Sequence, residues 1–277
     1  MIELLKPLIA SPELPRYVQE LREVLARERT LRQKFYEEMT EEQKAEFVNG
    51  QVIMHSPVQR KHGLASDFLF KLVSTYVDQN DLGWVGHEKL LVALTRNDYE
   101  PDVAFWKAER AAEFAADQMK FPAPDFVAEV LSPSTEKNDR GVKFEDYAAH
   151  GVSEYWLVDP AREQIEKHLL RGRRFTVAET CRKGRIASTV IAGLVVPVSA
   201  VFHREVNLKA LRRLLARSDP TVVVKEYWIV LGSERRVEVY RRPEQGSYQE
   251  QQLLEGDAEL ECAGVPGLRL RLAELFA

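Results

Sequence analysis

The stretch from Phe126 to Pro160, FVAEVLSPSTEKNDRGVKFEDYAAHGVSEYWLVDP, constrains this chain more than any other. It reads as strand, Ser/Pro turn, helix and strand. Phe126, Val127, Ala128, Val130 and Leu131 form a short apolar run without clean alternation, the pattern of a strand covered on both faces. Glu129 breaks that run with a carboxylate, which such a strand tolerates only against a cation. The candidates are a metal ion and Lys143, which the spacing sets on the following helix one turn from Tyr147.

The chain has 277 residues, room for one large domain or for a core domain and a smaller one. Its net charge of −4 argues against a protein that coats nucleic acid by bulk attraction. Basic clusters at Arg171, Arg173 and Arg174 and at Lys209, Arg212 and Arg213 read as solvated faces. Cys181 and Cys262 lie far apart without CxxC spacing, so neither a disulfide framework nor a thiolate zinc site is supported, and oxygen would hold any metal. No apolar run is long enough to span a bilayer and no cleavable signal pattern opens the chain, so the expected address is the cytoplasm, with no membrane partner.

Residues 1 to about 40 read as a helical extension with an apolar stripe of Leu14, Val18, Leu21 and Leu25, suited to packing or to a homodimer contact. Thr40-Glu41-Glu42-Gln43 fits a capping box. Asn49-Gly50 between apolar runs predicts a two-residue hairpin with Glu46 on its incoming strand. Val58 to about Tyr76 has helical spacing, with His62 near its start. Gly83–Leu94 reads as a strand or half of a hairpin, Tyr99–Trp106 as a strand begun at Pro101, and Lys107 to about Met119 as a helix. A helix capped by Asn138 or Asp139 then runs to about His150, where Gly151 stops it.

The last third repeats part of what precedes it. Glu154-Tyr155-Trp156-Leu157-Val158 recurs as Glu226-Tyr227-Trp228-Ile229-Val230, and Gly193-Leu194 through Val201-Phe202 is echoed by Gly267-Leu268 through Leu275-Phe276. The second copy has no counterpart of the Glu129 strand or the Lys143 helix. The expected organisation is an N-terminal extension (1–40), a core domain (41–202), a linking helix (203–217) and a partial repeat of a β-rich unit (218–277).

Glu46, Asp102, Glu129 and Lys143 come from separate segments and could converge. Two or three carboxylates at strand ends suffice for a hard divalent cation, and a lysine beside them can hold the attacking water or stabilise charge on a phosphate. That is a phosphodiesterase arrangement in principle. A buried Glu129–Lys143 ion pair and an Asp102 turn bonded to its own backbone account for the same residues one at a time. Asp125, after Pro124, shares a strand face with Glu129 but lies about 13 Å from it along an extended chain, which leaves Asp102 the better partner.

Pro101-Asp102, Glu129-Val130-Leu131-Ser132-Pro133-Ser134-Thr135, Asp139-Arg140-Gly141-Val142-Lys143 and Tyr147 through Pro160 together resemble the Uma-two restriction-endonuclease family, as does Glu46 through Ile53 with Ser56-Pro57 and His62. The likeness spans roughly residues 35 to 202. It implies an α/β fold of the PD-(D/E)XK nuclease superfamily, a restriction-endonuclease-like central mixed sheet flanked by helices, here followed by the duplicated β unit. It also implies a Mg²⁺-dependent deoxyribonuclease, with Mn²⁺ as a substitute and DNA as substrate. On that likeness Asp102 and Glu129 are metal ligands together with the Val130 carbonyl, Glu46 assists through water, and the role of His62 stays open. Leu131 stands where the superfamily's lysine is usual, so Lys143 would supply it from the next helix. The alternative is a catalytically silent nuclease-like protein that binds nucleic acid or serves as a scaffold.

Overall fold

The computed structural model describes residues 3–40, 44–55, 57–217, 226–244, 247–262 and 268–276. Helices α1 (Lys6–Ile9) and α2 (Leu14–Glu38) lead into a hairpin of β1 (Ala45–Val48) and β2 (Gln51–Met54). Its turn is Asn49-Gly50, with φ of 50° and 80°, and the register closes on Val48↔Gln51. Two adjacent left-handed positions are what a two-residue turn between twisted strands demands, so the Asn-Gly pair fixes which side of β1 faces inward.

Helix α3 (Arg60–Gln79) is followed by β3 (Gly83–His87), β4 (Leu91–Ala93), β5 (Asp98–Tyr99), β6 (Val103–Lys107), α4 (Ala108–Ala111) and β7 (Lys120–Phe121). Then come β8 (Phe126–Val130), α5 (Glu136–Asp139), α6 (Val142–Ala149) and β9 (Glu154–Asp159). The first part of the chain closes with β10 (Gln164–Arg171), β11 (Arg174–Cys181), β12 (Arg185–Ala187), β13 (Val195–Pro197), α7 (Val198–Phe202) and α8 (Arg204–Arg217).

A six-stranded sheet in the order β11-β10-β9-β8-β6-β3 forms the centre. Within this sheet β8 and β9 run parallel, because α5 and α6 cross over between them, while its other neighbours are antiparallel, so the sheet is mixed. Alternation along each strand divides its residues between two cores. Val103, Phe105, Phe126, Ala128 and Val130 pack under α3, whereas Ala104, Trp106, Val127 and Leu157 pack with Tyr147 and Ala148 of α6. A second sheet, β2-β1-β5-β4-β7, carries the N-terminal hairpin.

Several predicted elements come out differently. The expected strand Tyr99–Trp106 is interrupted at Glu100, Pro101 and Asp102, since proline cannot donate to a ladder; β5 joins the five-stranded sheet and β6 the central one. Gly83–Leu94 divides between the same two sheets as β3 and β4. The helix expected from Lys107 to Met119 lasts four residues, because Phe114 turns in to pack edge-on against Trp84, Trp106 and Phe121. Asn138 and Asp139 lie within α5 instead of capping a helix, and Gly141 separates α5 from α6.

The stripe of α2 is not a packed face. Leu21 is 58% exposed and Leu25 43%, while Phe35 alone is buried. The helix is held by ion pairs near its end: Arg32 grips Asp98 at 2.5 and 2.7 Å, and Glu28 meets Arg96 at 2.6 Å. The proposed capping box rests on residues 41–43, outside the described residues.

Two compact units divide the chain, Met1–Leu215 and Ala216–Ala277. The second contains an antiparallel sheet of β14 (Glu226–Leu231), β15 (Arg236–Glu244) and β16 (Ser247–Glu255), then β17 (Glu259–Glu261), β18 (Arg269–Arg271) and α9 (Leu272–Leu275). Its core is Val237, Val239, Leu254, Leu260 and Leu272. The same succession of three antiparallel strands, a two-stranded ladder and a short helix runs from β9 to α7. The indole of Trp228 donates to Glu226, as that of Trp156 does to Glu154 at 2.6 Å. Among the described residues no helix is long and apolar enough to cross a membrane.

Candidate active site

Strand register brings the two strand acids together. β6 pairs with β8 as Val103↔Ala128 and Ala104↔Val127, and one further step sets Asp102 opposite Glu129. Both side chains alternate onto the α6 face, with Ala104 and Val127. Opposed carboxylates on neighbouring strands repel unless cations stand between or beside them.

Lysine ammonium groups meet that need. Lys143, on α6, puts Nζ 2.8 Å from Glu46 Oε1, 3.1 Å from Glu129 Oε1 and 3.3 Å from Asp139 Oδ1. It is 2% exposed, and Tyr147, one turn further along α6, donates its hydroxyl to the same Glu129 oxygen at 3.3 Å. Burial alone would lower the lysine pKa, but the surrounding carboxylates of Glu129, Glu46 and Asp139 hold it well above the ordinary value. Burial raises Glu129 well above the usual carboxylate range; Lys143 pulls against this, while Asp139, Asp102 and Glu46 add to it. For Glu46 burial also pushes upward, yet Lys143 and His55 outweigh it and bring the group down to about 2.

Asp102 has a separate set of partners. Oδ2 accepts the Val130 backbone N–H at 2.8 Å, and Oδ1 lies 3.2 Å from Lys44 Nζ and 3.6 Å from His62 Nε2. Burial disfavours its charge, but the His62 and Lys44 contacts and the Val130 N–H hold its pKa below the ordinary value. In an extended strand a residue's N–H and C=O leave on the same side, so the Val130 carbonyl leaves β8 on the edge that Asp102 occupies.

Asp102, Glu129, Lys143, Asp139 and His62 line one cleft of about 300 Å³, and Glu46 reaches Lys143 from a small cavity adjoining it. Among the described residues six buried side-chain atoms lack a hydrogen-bond partner. Four belong to residues of this cleft, but Asp139 Oδ1 stands 3.3 Å from the Lys143 ammonium and His55 Nε2 3.4 Å from Glu46 Oε2, which leaves His62 Nδ1 and Glu100 Oε2 without a partner among the described residues. Buried polar atoms are rarely left unpaired, and their concentration marks a place completed by water, an ion or substrate.

No three His, Cys, Asp or Glu side chains among the described residues stand close enough to hold a metal. Mg²⁺ does not require three, because it binds through one or two carboxylates and keeps several waters. Asp102 and Glu129, both oxygen donors on facing positions, fit that chemistry. Lys44 and Lys143 balance their charge.

Of the residues singled out in the sequence, Glu46, Glu129 and Lys143 are in direct contact, Asp102 and His62 join them in the cleft, and Asp125 lies apart. Asp125 Oδ2 instead accepts the Lys107 N–H at 3.0 Å and pairs with Arg110 at 3.1 Å. Sequence reasoning missed Lys44, His55 and the Asp139–Lys143 contact. Two signals were available: Lys44 is two residues before Glu46 and so shares its strand face, and Asp139 is one helical turn before Lys143.

Residues 32–199 and 222–273 match the model of the family Uma2, described as "Putative restriction endonuclease". The uncharacterized protein slr1290 of Synechocystis is 30% identical over 135 residues, which cover 47% of this chain and 67% of that protein. A crystal structure of a "putative nuclease belonging to DUF820" from Anabaena variabilis has a TM-score of 0.53 and 16% identity over 64% of this chain and 96% of its own. At that identity the likeness speaks to the fold.

Proposed function

Since the chain belongs to the Uma2 family of restriction-endonuclease-type proteins, we propose that it is a metal-dependent endonuclease hydrolysing phosphodiester bonds of DNA. The observation that carries this reading is the cleft itself: facing carboxylates Asp102 and Glu129, a buried ammonium at Lys143, and two buried atoms, His62 Nδ1 and Glu100 Oε2, without a hydrogen-bond partner among the described residues. In it Asp102, Glu129 and the Val130 carbonyl would hold Mg²⁺ or Mn²⁺, with Glu46 assisting through water. The ion would supply Lewis acidity toward a phosphoryl oxygen and acidify a bound water.

The chain's own residues divide the remaining work. Lys143 orients the attacking water and offsets negative charge that develops on the phosphate. Glu46 and Asp139 keep that lysine charged and fix its direction. Tyr147 holds Glu129 by its hydroxyl, and His62 and the Val130 N–H hold Asp102. Lys44 neutralises Asp102 before substrate enters.

The test is cleavage of plasmid and linear DNA with Mg²⁺ or Mn²⁺ by the purified chain and by Lys143→Ala. The wild type is expected to cut and the variant to lose at least a hundredfold in rate. Absence of cutting by wild type, together with absence of metal binding that depends on Asp102 and Glu129, defeats the reading.

One observation favours a second reading, a nuclease-like binding or scaffold protein without turnover. Both acids already carry an ammonium, Lys44 on Asp102 and Lys143 on Glu129, so each has a cation supplied from within the chain. Such a binder keeps its partner after Asp102→Asn and never cuts, whereas a nuclease keeps DNA affinity and loses cutting.

A further inference from the structure

Next to the cleft lies a larger pocket of about 680 Å³. Trp84, Phe114 and Phe121 form part of its wall, beside aliphatic Met39, Leu90 and Leu91. Trp84 stands 5.8 Å from Phe114 at 76° and 5.1 Å from Phe121, and the lining Met119 is 58% exposed. Behind them Trp106 is fully buried and donates its indole N–H to the Pro122 carbonyl at 3.0 Å, so this wall is anchored from the inside. Trp84 and Phe114 remain only partly buried.

The pocket and the cleft share a wall. Glu100 and Lys89 line both, and Glu100 is buried with an Oε2 that has no hydrogen-bond partner among the described residues. A purely apolar guest such as an acyl chain would leave that oxygen unsatisfied. A guest with one flat π-face and one N–H-bearing edge answers both the rings and the carboxyl.

We propose that this pocket receives an unpaired nucleobase of the same strand whose phosphate occupies the Asp102–Glu129 cleft. The inference rests on the nuclease reading and adds the form of its substrate. A base and its own phosphate are covalently tied at short range, and adjacent compartments with a common wall suit that tie. Aromatic side chains stack on any base, which makes such a site tolerant of sequence, while a carboxylate oxygen accepts from an exocyclic amino group. A base stacked inside a duplex cannot enter, so the substrate is single-stranded DNA or DNA with an extruded nucleotide.

The experiment uses the full chain in EDTA, so that nothing is cut, and fluorescence anisotropy of short labelled oligonucleotides. Three probes of equal length are compared: a single strand, its abasic deoxyribose-phosphate counterpart, and the duplex. Two variants keep the outcome independent of folding: Phe114→Ala removes a ring, and Ala115→Trp fills the pocket from an exposed lining position. The wild type is expected to bind the single strand about 10-fold more tightly than the abasic strand and the duplex, as the loss of one stacked base predicts. Both variants are expected to bind all three alike. If wild type binds the abasic strand or the duplex as tightly as the single strand, or if both variants retain the preference, the pocket proposal is overturned while DNA cutting with Mg²⁺ leaves the nuclease reading standing. If wild type neither binds nor cuts any DNA, both readings fall.

Discussion

Lys143 Nζ stands 3.1 Å from Glu129 Oε1, although the two residues are fourteen apart in the chain and belong to different elements. Strand β8 delivers the acid and helix α6 delivers the base, and the parallel crossover to β9 folds one over the other. An ammonium that is 2% exposed cannot recover its hydration if an acid is removed, nor can the acids if it is removed.

Replacement of Lys143 by Ala leaves Glu46, Glu129 and Asp139 buried without their ammonium. We expect a loss of about 3 to 5 kcal/mol in urea unfolding at neutral pH. Adding Glu129→Gln to Lys143→Ala should recover part of it, giving a coupling of about 1 to 3 kcal/mol in the double-mutant cycle. Additive losses would mean that the two groups do not interact in solution.

Asp102→Asn keeps the shape of the side chain and its ability to accept the Val130 N–H, but removes the charge that a cation needs. Calorimetric titration with Mn²⁺ should lose its binding isotherm in this variant and in Glu129→Gln, while unchanged DNA affinity separates the metal role from the fold. A Mn²⁺ isotherm that survives both substitutions would place the metal elsewhere.

Glu100 gives a pH signature. Burial lifts its carboxyl to about 7 from 4.5, only partly opposed by Lys44. A raised folded pKa means the fold prefers the protonated form: its stability is fully present below pH 4.5 and is lost as pH rises through 7, by up to about 3 kcal/mol. Glu100→Gln should therefore match wild type near pH 4.5 and exceed it at pH 8. Parallel stability profiles from pH 4 to 8 would falsify this assignment.

Arg32 makes the main polar tie between α2 and the β5 region. Its guanidinium meets both oxygens of the fully buried Asp98 and donates to the Leu94 carbonyl at 2.7 Å. In Arg32→Ala the aspartate carboxylate keeps, among the described residues, the Tyr36 hydroxyl at 2.9 Å. A loss of about 3 kcal/mol is expected, with early hydrogen exchange along α2. Protection of α2 equal to wild type would show that Arg32 is not what holds the helix, leaving that to Phe35 and the Glu28–Arg96 pair.

The sequence by itself determined the segments where local chemistry is unambiguous. Asn49-Gly50 admits one kind of turn, the run around Glu129 admits a strand covered on both faces, and a carboxylate inside it demands a cation, so Glu46, Asp102, Glu129 and Lys143 were legible from their settings. Tertiary structure decided what depends on partners far away in the chain. Pro101 breaks one expected strand because its two halves pair with different sheets, and Phe114 ends a helix because an aromatic cluster draws it inward. The stripe on α2 stays in water. Lys143 was already a candidate for Glu129 from the sequence; that Lys44 answers Asp102 was beyond local pattern, because the two meet only after strand register has put Asp102 opposite Glu129.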